Sequence, residues 1–178
     1  MKKIVFAVCS FAIAVIFAAC TENPTVVGKW KSDPKVDKEK DMNVSMEMDL
    51  NLAEDKTMAL DINALMDAES EETSMHMPFK MGFKGKWEAS DKKMVWNATD
   101  SSQYVKFEKD SVKITFKNPE LEALGDKLLK SFIENFEKEL APNMLSSFEK
   151  TDSMDYTLEG DVLKIVSAKD TMVFHRQK

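Results

Sequence analysis

Methionine is the residue that first raises a question of chemistry. The 178-residue chain holds thirteen, twelve of them beyond the initiator. Met46, Met48, Met58, Met75, Met77, Met81 and Met94 share alternating segments with Leu60 and Phe79. Thioether side chains are unbranched and adaptable, so this set is the candidate lining of a cavity for a small apolar molecule. The same residues could equally fill a solid core. A third use is a soft metal. Met75-His76-Met77 and Met46-Glu47-Met48 offer sulfurs two residues apart, and Cu(I) or Ag(I) favours such ligands. In a regular strand, however, His76 points away from Met75 and Met77. No metal site and no cofactor are expected.

Other reactive groups are sparse. His76 and His175 are the only histidines, and no motif links either to a serine and an acid. A triad needs a base and an orienter in defined positions, so no catalytic residue is expected and the chain does not read as an enzyme. Both cysteines, Cys9 and Cys20, fall in the first twenty residues. The remainder therefore has no disulfide, thiol nucleophile or cysteine-type zinc site. Asp67, Glu69, Glu71 and Glu72 lack the alternating ligands and glycine of a calcium loop, and read as a solvated loop over 67–74. Removing Lys2 and Lys3 from a net charge of −6 leaves −8. A body that acidic, without runs of lysine and arginine broken by aromatics, is not expected to bind nucleic acid.

The beginning of the chain is an address. Lys2-Lys3 precede an apolar run from Ile4 to Ala19, the pattern of a secretory signal. The run ends Phe17-Ala18-Ala19-Cys20, which resembles the lipobox of bacterial lipoproteins, with Phe17 in place of the more usual Leu. That resemblance implies removal of 1–19, acylation of Cys20 and a partner in the lipid membrane. Several acyl chains make such an anchor stable where one is marginal. Residue 21 is Thr rather than the Asp that resembles an inner-membrane retention signal, which favours the outer membrane. Residues 20–25 hold the lipidated Cys20 and a short tether, Thr21 to Thr25, that reaches at most about 17 Å. A single domain is expected over 26–178.

Period-two patterning dominates that domain. Val44, Met46, Met48, Leu50 and Leu52 alternate with polar residues, and Met58, Leu60 and Ile62 restart the pattern after Glu54-Asp55-Lys56. A longer alternation runs from Met75 to Trp87. Further short strands follow, separated by turns in which Asp recurs because its side chain can bond the backbone two residues on. Strands near ten residues apart with short turns pair as neighbours. The fold class is mainly β: an antiparallel up-and-down barrel of about 8–10 strands, closed because closure removes exposed edges. Residues 32–41 read as a charged loop. One helical segment interrupts at 119–148. Asn118-Pro119-Glu120 is its start, and Leu121, Leu124, Leu128, Leu129, Phe132, Ile133, Phe136 and Leu140 follow at spacings of three and four. It reads as a plug completing the core, a lid over the barrel mouth, or a face for a protein partner.

Gly28-x-Trp30 in the first strand, the meander and the late Arg176 together resemble the lipocalins. More narrowly, the chain is similar to the lipocalin-like lipoproteins of Gram-negative bacteria. The resemblance implies that Trp30 closes the barrel bottom, that Arg176 stacks on it as a cation–π pair, and that the barrel holds a small apolar ligand. Three features depart from the family pattern: a strand count above eight, the helical insert, and the lack of a disulfide at the C-terminus. Asp110-Ser111-Val112, Asp152-Ser153-Met154 and Asp170-Thr171-Met172 also resemble Asp-Ser/Thr sites that some anaerobic Gram-negative bacteria O-glycosylate, though turn chemistry places the same residues together.

Overall fold

Three long strands are built by the alternating segments: β3 (Met42–Leu52), β4 (Thr57–Glu69) and β5 (Thr73–Ser90). They are joined by tight turns and pair along their whole shared length. The computed structural model describes residues 25–39, 41–99, 102–122, 125–136, 138, 153–167 and 171–178. The leader 1–19, Cys20, and the helical positions Leu124, Leu140, Met144, Leu145 and Phe148 lie outside them. The other strands are β1 (Gly28–Ser32), β2 (Lys35–Glu39), β6 (Lys93–Ala98), β7 (Tyr104–Phe107), β8 (Lys113–Phe116), β9 (Met154–Glu159), β10 (Val162–Val166) and β11 (Thr171–Arg176).

All eleven strands form one antiparallel sheet, and eight of them close a ring. The ring runs β1, β3, β4, β5, β6, β9, β10, β11 and returns to β1. Closure is made by β1, which pairs Trp30 with Arg176 of β11 on one side and with Leu50 of β3 on the other. The strand excess over eight is therefore carried off the ring. β2 continues along β3 beyond β1, and β7 and β8 continue along β5 beyond β6. These additions turn the long ends of β3, β4 and β5 into a wing above the barrel. Pro78 sits on β5 opposite the break between β7 and β8, where a donor missing from the ladder does least harm.

Two expectations are corrected here. Residues 35–39 are a strand, not a loop. Charges fall on successive positions of β2 because it is an edge strand, and lysines and acids there discourage pairing with another chain. The acidic loop shrinks to 70–72, since β4 runs through Asp67 to Glu69 and β5 begins at Thr73. The Ser70 hydroxyl accepts from the amides of Glu72 and Thr73 and donates to the Thr73 carbonyl, which fixes the turn. Between β5 and β6, Asp91 and Lys92 both take positive φ, the conformation a two-residue hairpin needs to match strand twist. The seam of β6 with β9 has only two residue pairs, and Lys93 bridges it to Asp155 at 2.7 Å.

The helical insert is observed as α1 (Pro119–Glu122) and α2 (Gly125–Asn135). The Asn118 side chain accepts from the Glu120 amide at 3.0 Å, capping the start. In its last turn α2 buries Ile133, and just past that turn Phe136 enters the main core. Phe136 meets Phe107 edge-on, 5.1 Å between centroids, and Phe79 at 5.7 Å. The core runs unbroken from the three tryptophans at one end, through Leu60, Met77, Leu163 and Phe174, to these aromatics under α2.

Candidate functional site

At the end where β1 begins, Gly28, Trp30 and Arg176 come together. Trp30 is buried and donates its indole N–H to the Val26 carbonyl at 2.8 Å. The Arg176 guanidinium carbon lies 4.1 Å from the centre of the Trp30 ring. The same guanidinium donates to the carbonyls of Val27 (2.8 Å) and Thr25 (2.7 Å) and pairs with Asp161 at 3.3 Å. Gly28 is needed twice over. Its φ is +141°, and a side-chain carbon there would lie 2.7 Å from Arg176 Nη1. The Arg176 side chain thus ties the first and last strands and the incoming chain into one knot that closes the barrel end.

Gly85-Lys86-Trp87 repeats the letters of Gly28-Lys29-Trp30 and builds a similar arrangement. Trp87 is buried, donates to the Ala53 carbonyl at 3.1 Å, and carries Lys56 Nζ 4.2 Å over its ring. Gly85 lets β6 approach, since a side-chain carbon there would meet the Asn97 carbonyl oxygen at 2.1 Å. Trp30 and Trp87 therefore each have a carbonyl for the N–H, a cation on the face and a glycine two residues earlier.

The nine residues expected to line a cavity are not gathered around one open space. Met58, Leu60, Met77, Phe79, Met81 and Met94 are at most 4% exposed and belong to the packed core. Met46 and Met48 are half-buried against it. Met75 opens on a cleft of about 460 Å³ between the wing and α2. That cleft is walled by Ala68, Met75, Ile114 and Phe116 from the sheet and by Leu128 and Phe132 from α2. Asp41, Glu69, Ser70 and Thr73 form its rim. Ala68, Met75 and Ile114 share one row across β4, β5 and β8, which is why their side chains face the same way. Sequence reasoning placed Phe116 and the α2 residues in a strand and a helix, but no spacing tells that a helix more than fifty residues after Met75 folds over that row.

A second, more polar recess of about 600 Å³ shares Asp41, Ala68, Glu69 and Met75 with that cleft and adds Asn43, Asp67, His76, Lys113 and Thr115 among others. His76 Nδ1 is 2.7 Å from Asp67, an orienter and a base. Among the described residues no hydroxyl or thiol is hydrogen-bonded to its Nε2. His76 stands on the opposite face from Met75 and Met77, and the three do not converge. His175 is exposed, 3.3 Å from Asp33.

On the outer wall, Tyr104 reaches across Gly82 to Asp61, 2.5 Å from its carboxylate. Burial, then the neighbouring carboxylate, pushes the Tyr104 hydroxyl up to about 12. A folded pKa above the unfolded value near 10 means the folded state holds this proton more tightly. The stabilisation is therefore fully present below pH 10 and is lost as pH rises toward 12. Alkaline unfolding at a series of pH values checks this: Tyr104→Phe should be less stable than wild type at neutral pH, and the gap should narrow across that window. A gap independent of pH would show that the hydroxyl does not act through Asp61.

These features define the class: a closed, antiparallel, eight-stranded β-barrel consistent with a calycin-like fold, extended by a wing and roofed by a helix. No model of a known family matches the chain, and a comparison with curated proteins finds no relative.

Proposed function

We propose that this protein is a lipid-anchored barrel of the cell envelope, held at the outer membrane through acylated Cys20, and that it binds a small apolar molecule without catalysing a reaction. The cleft under α2 carries this reading. Its wall of Met75, Phe116, Leu128, Phe132 and their neighbours is almost wholly apolar, and Leu128 is 41% exposed where a ligand would cover it. A concave apolar site with a few polar groups at its rim is the usual form of a small-molecule site. Met75 supplies a side chain that adapts to varied shapes.

An environment-sensitive fatty-acid probe tests it. Binding to delipidated protein should be saturable at micromolar concentration, and Phe132→Glu and Leu128→Glu should each weaken it at least about tenfold, the cost of a charge in an apolar site. No binding by wild type, or binding indifferent to both substitutions, would remove the cleft as a ligand site. That result would leave the other reading, a structural or protein-interaction lipoprotein. The packed barrel interior, with Leu60, Met77, Met94 and Phe174 fully buried, favours it.

Anchoring is tested apart from binding. Cys20→Ser should leave the protein without lipid and release it from the membrane fraction. Continued incorporation of labelled palmitate into that variant would refute the site.

A further inference from the structure

The chain enters the barrel at its closed end, where the Arg176 guanidinium holds the Thr25 and Val27 carbonyls. Three lysines stand on the outer wall beside that entry. Lys29 of β1 lies in one row with Asn51, Ala59 and Lys84 across β3, β4 and β5, and Lys86 is two residues further along β5 on the same face. All three are exposed, and none is ion-paired with a described residue. A shallow cleft of about 430 Å³ runs between Lys84 and Lys86, floored by Ala59 and Gly85. Carboxylates share this wall and keep their charge: Asp49 and Asp61 form the next row along β3 and β4, accepting from Asn63 and Tyr104, and Asp55 accepts from the hydroxyl and amide of Thr57. Glu88, next on the same face of β5, is exposed. The far end is acidic on balance, with Asp37, Asp41, Glu69, Glu71 and Glu72 exposed beside Lys38, Lys113 and Lys117.

We propose that this lysine wall docks on an anionic phospholipid surface. Lysines near such a surface each add roughly a fivefold gain in partitioning, and the small floor lets headgroups approach the two ammonium groups. The acidic end is repelled by the same surface, so the barrel stands on its closed end. The cleft under α2 then opens on the aqueous side, about 33 Å along β3 from the lipid at ~3.3 Å per residue. The proposal goes beyond the anchoring reading and does not use the acyl chains.

The test takes the chain from residue 20 with Cys20→Ser, so that acyl chains cannot contribute. It should sediment with phosphatidylcholine vesicles containing about a third phosphatidylglycerol, and not with phosphatidylcholine alone. Lys84→Gln with Lys86→Gln should lower partitioning roughly 25-fold, and arginine at both positions should preserve it. Lys38→Gln with Lys113→Gln, at the far end, should change it little. A dye on Thr99→Cys, beside the wall, should be quenched by a headgroup quencher, and one on Glu71→Cys should not. Equal binding to neutral vesicles, equal losses from the two lysine pairs, or stronger quenching at residue 71 would each overturn the proposal.

Discussion

Trp30→Ala should lower the stability of the barrel by about 3–5 kcal/mol, the range for removing a buried aromatic. Trp30 is 1% exposed, so nearly all of its surface leaves water on folding. Its loss also removes the surface on which Arg176 lies and the donor that the Val26 carbonyl accepts. At about 2–4 °C per kcal/mol for a domain of this size, the melting temperature should fall by roughly 10 °C. A double-mutant cycle with Arg176→Ala separates the two contributions. If the cation–π contact matters beyond packing, the paired loss should fall short of the sum by about 0.5–2 kcal/mol. A Trp30→Ala protein that melts like wild type would show that the ring does not close this end.

How much of this was legible in the sequence depends on what kind of signal each element left. β3, β4 and β5 bury one face, so their apolar residues alternate, and a period of two can be read directly. β2 buries little and has partners on one side only, so its Lys-Val-Asp-Lys-Glu run looked like a loop. Asp67 and Glu69 looked like loop residues because acids cluster there. In a strand with one wet face, the wet face is free to be acidic. Gly28, Trp30 and Arg176 could be brought together because a known pattern places them, 146 residues apart in the chain. Lys56 over Trp87 and Tyr104 against Asp61 have no such pattern. Both depend on register across two or three strands, which single residues do not encode. The cleft is the hardest case. Its sheet wall follows from alternation and its helix wall from the three-four spacing. Their apposition is a tertiary fact: the apolar stripe of α2 has to be covered by something, and the sequence does not say by what.

That ambiguity makes Phe136→Ala the most informative single substitution on α2. As a plug, the helix is held by its buried aromatics, and removing Phe136 should cost about 3–5 kcal/mol. Phe136 is 3% exposed and touches Phe79, Phe107 and Phe132, so its loss opens space that these rings cannot readily refill. As a lid, the helix would rest on the barrel more loosely, and the same change would alter ligand exchange with little effect on melting. The packing favours the first outcome: Ile133 and Phe136 are inside the core, whereas Leu128 and Phe132, about two turns and one turn before Phe136, face the cleft. One helix then does two things along its length, fixed to the barrel near its C-terminal end and forming a wall of the cleft nearer its start. Calorimetry of Phe136→Ala beside probe binding by Phe132→Glu distinguishes the two ends. A large loss of stability from the first, together with a large loss of affinity and a small loss of stability from the second, is the expected pair. If both losses track together, the cleft and the core are a single packed unit and the wall cannot be altered without loosening the plug.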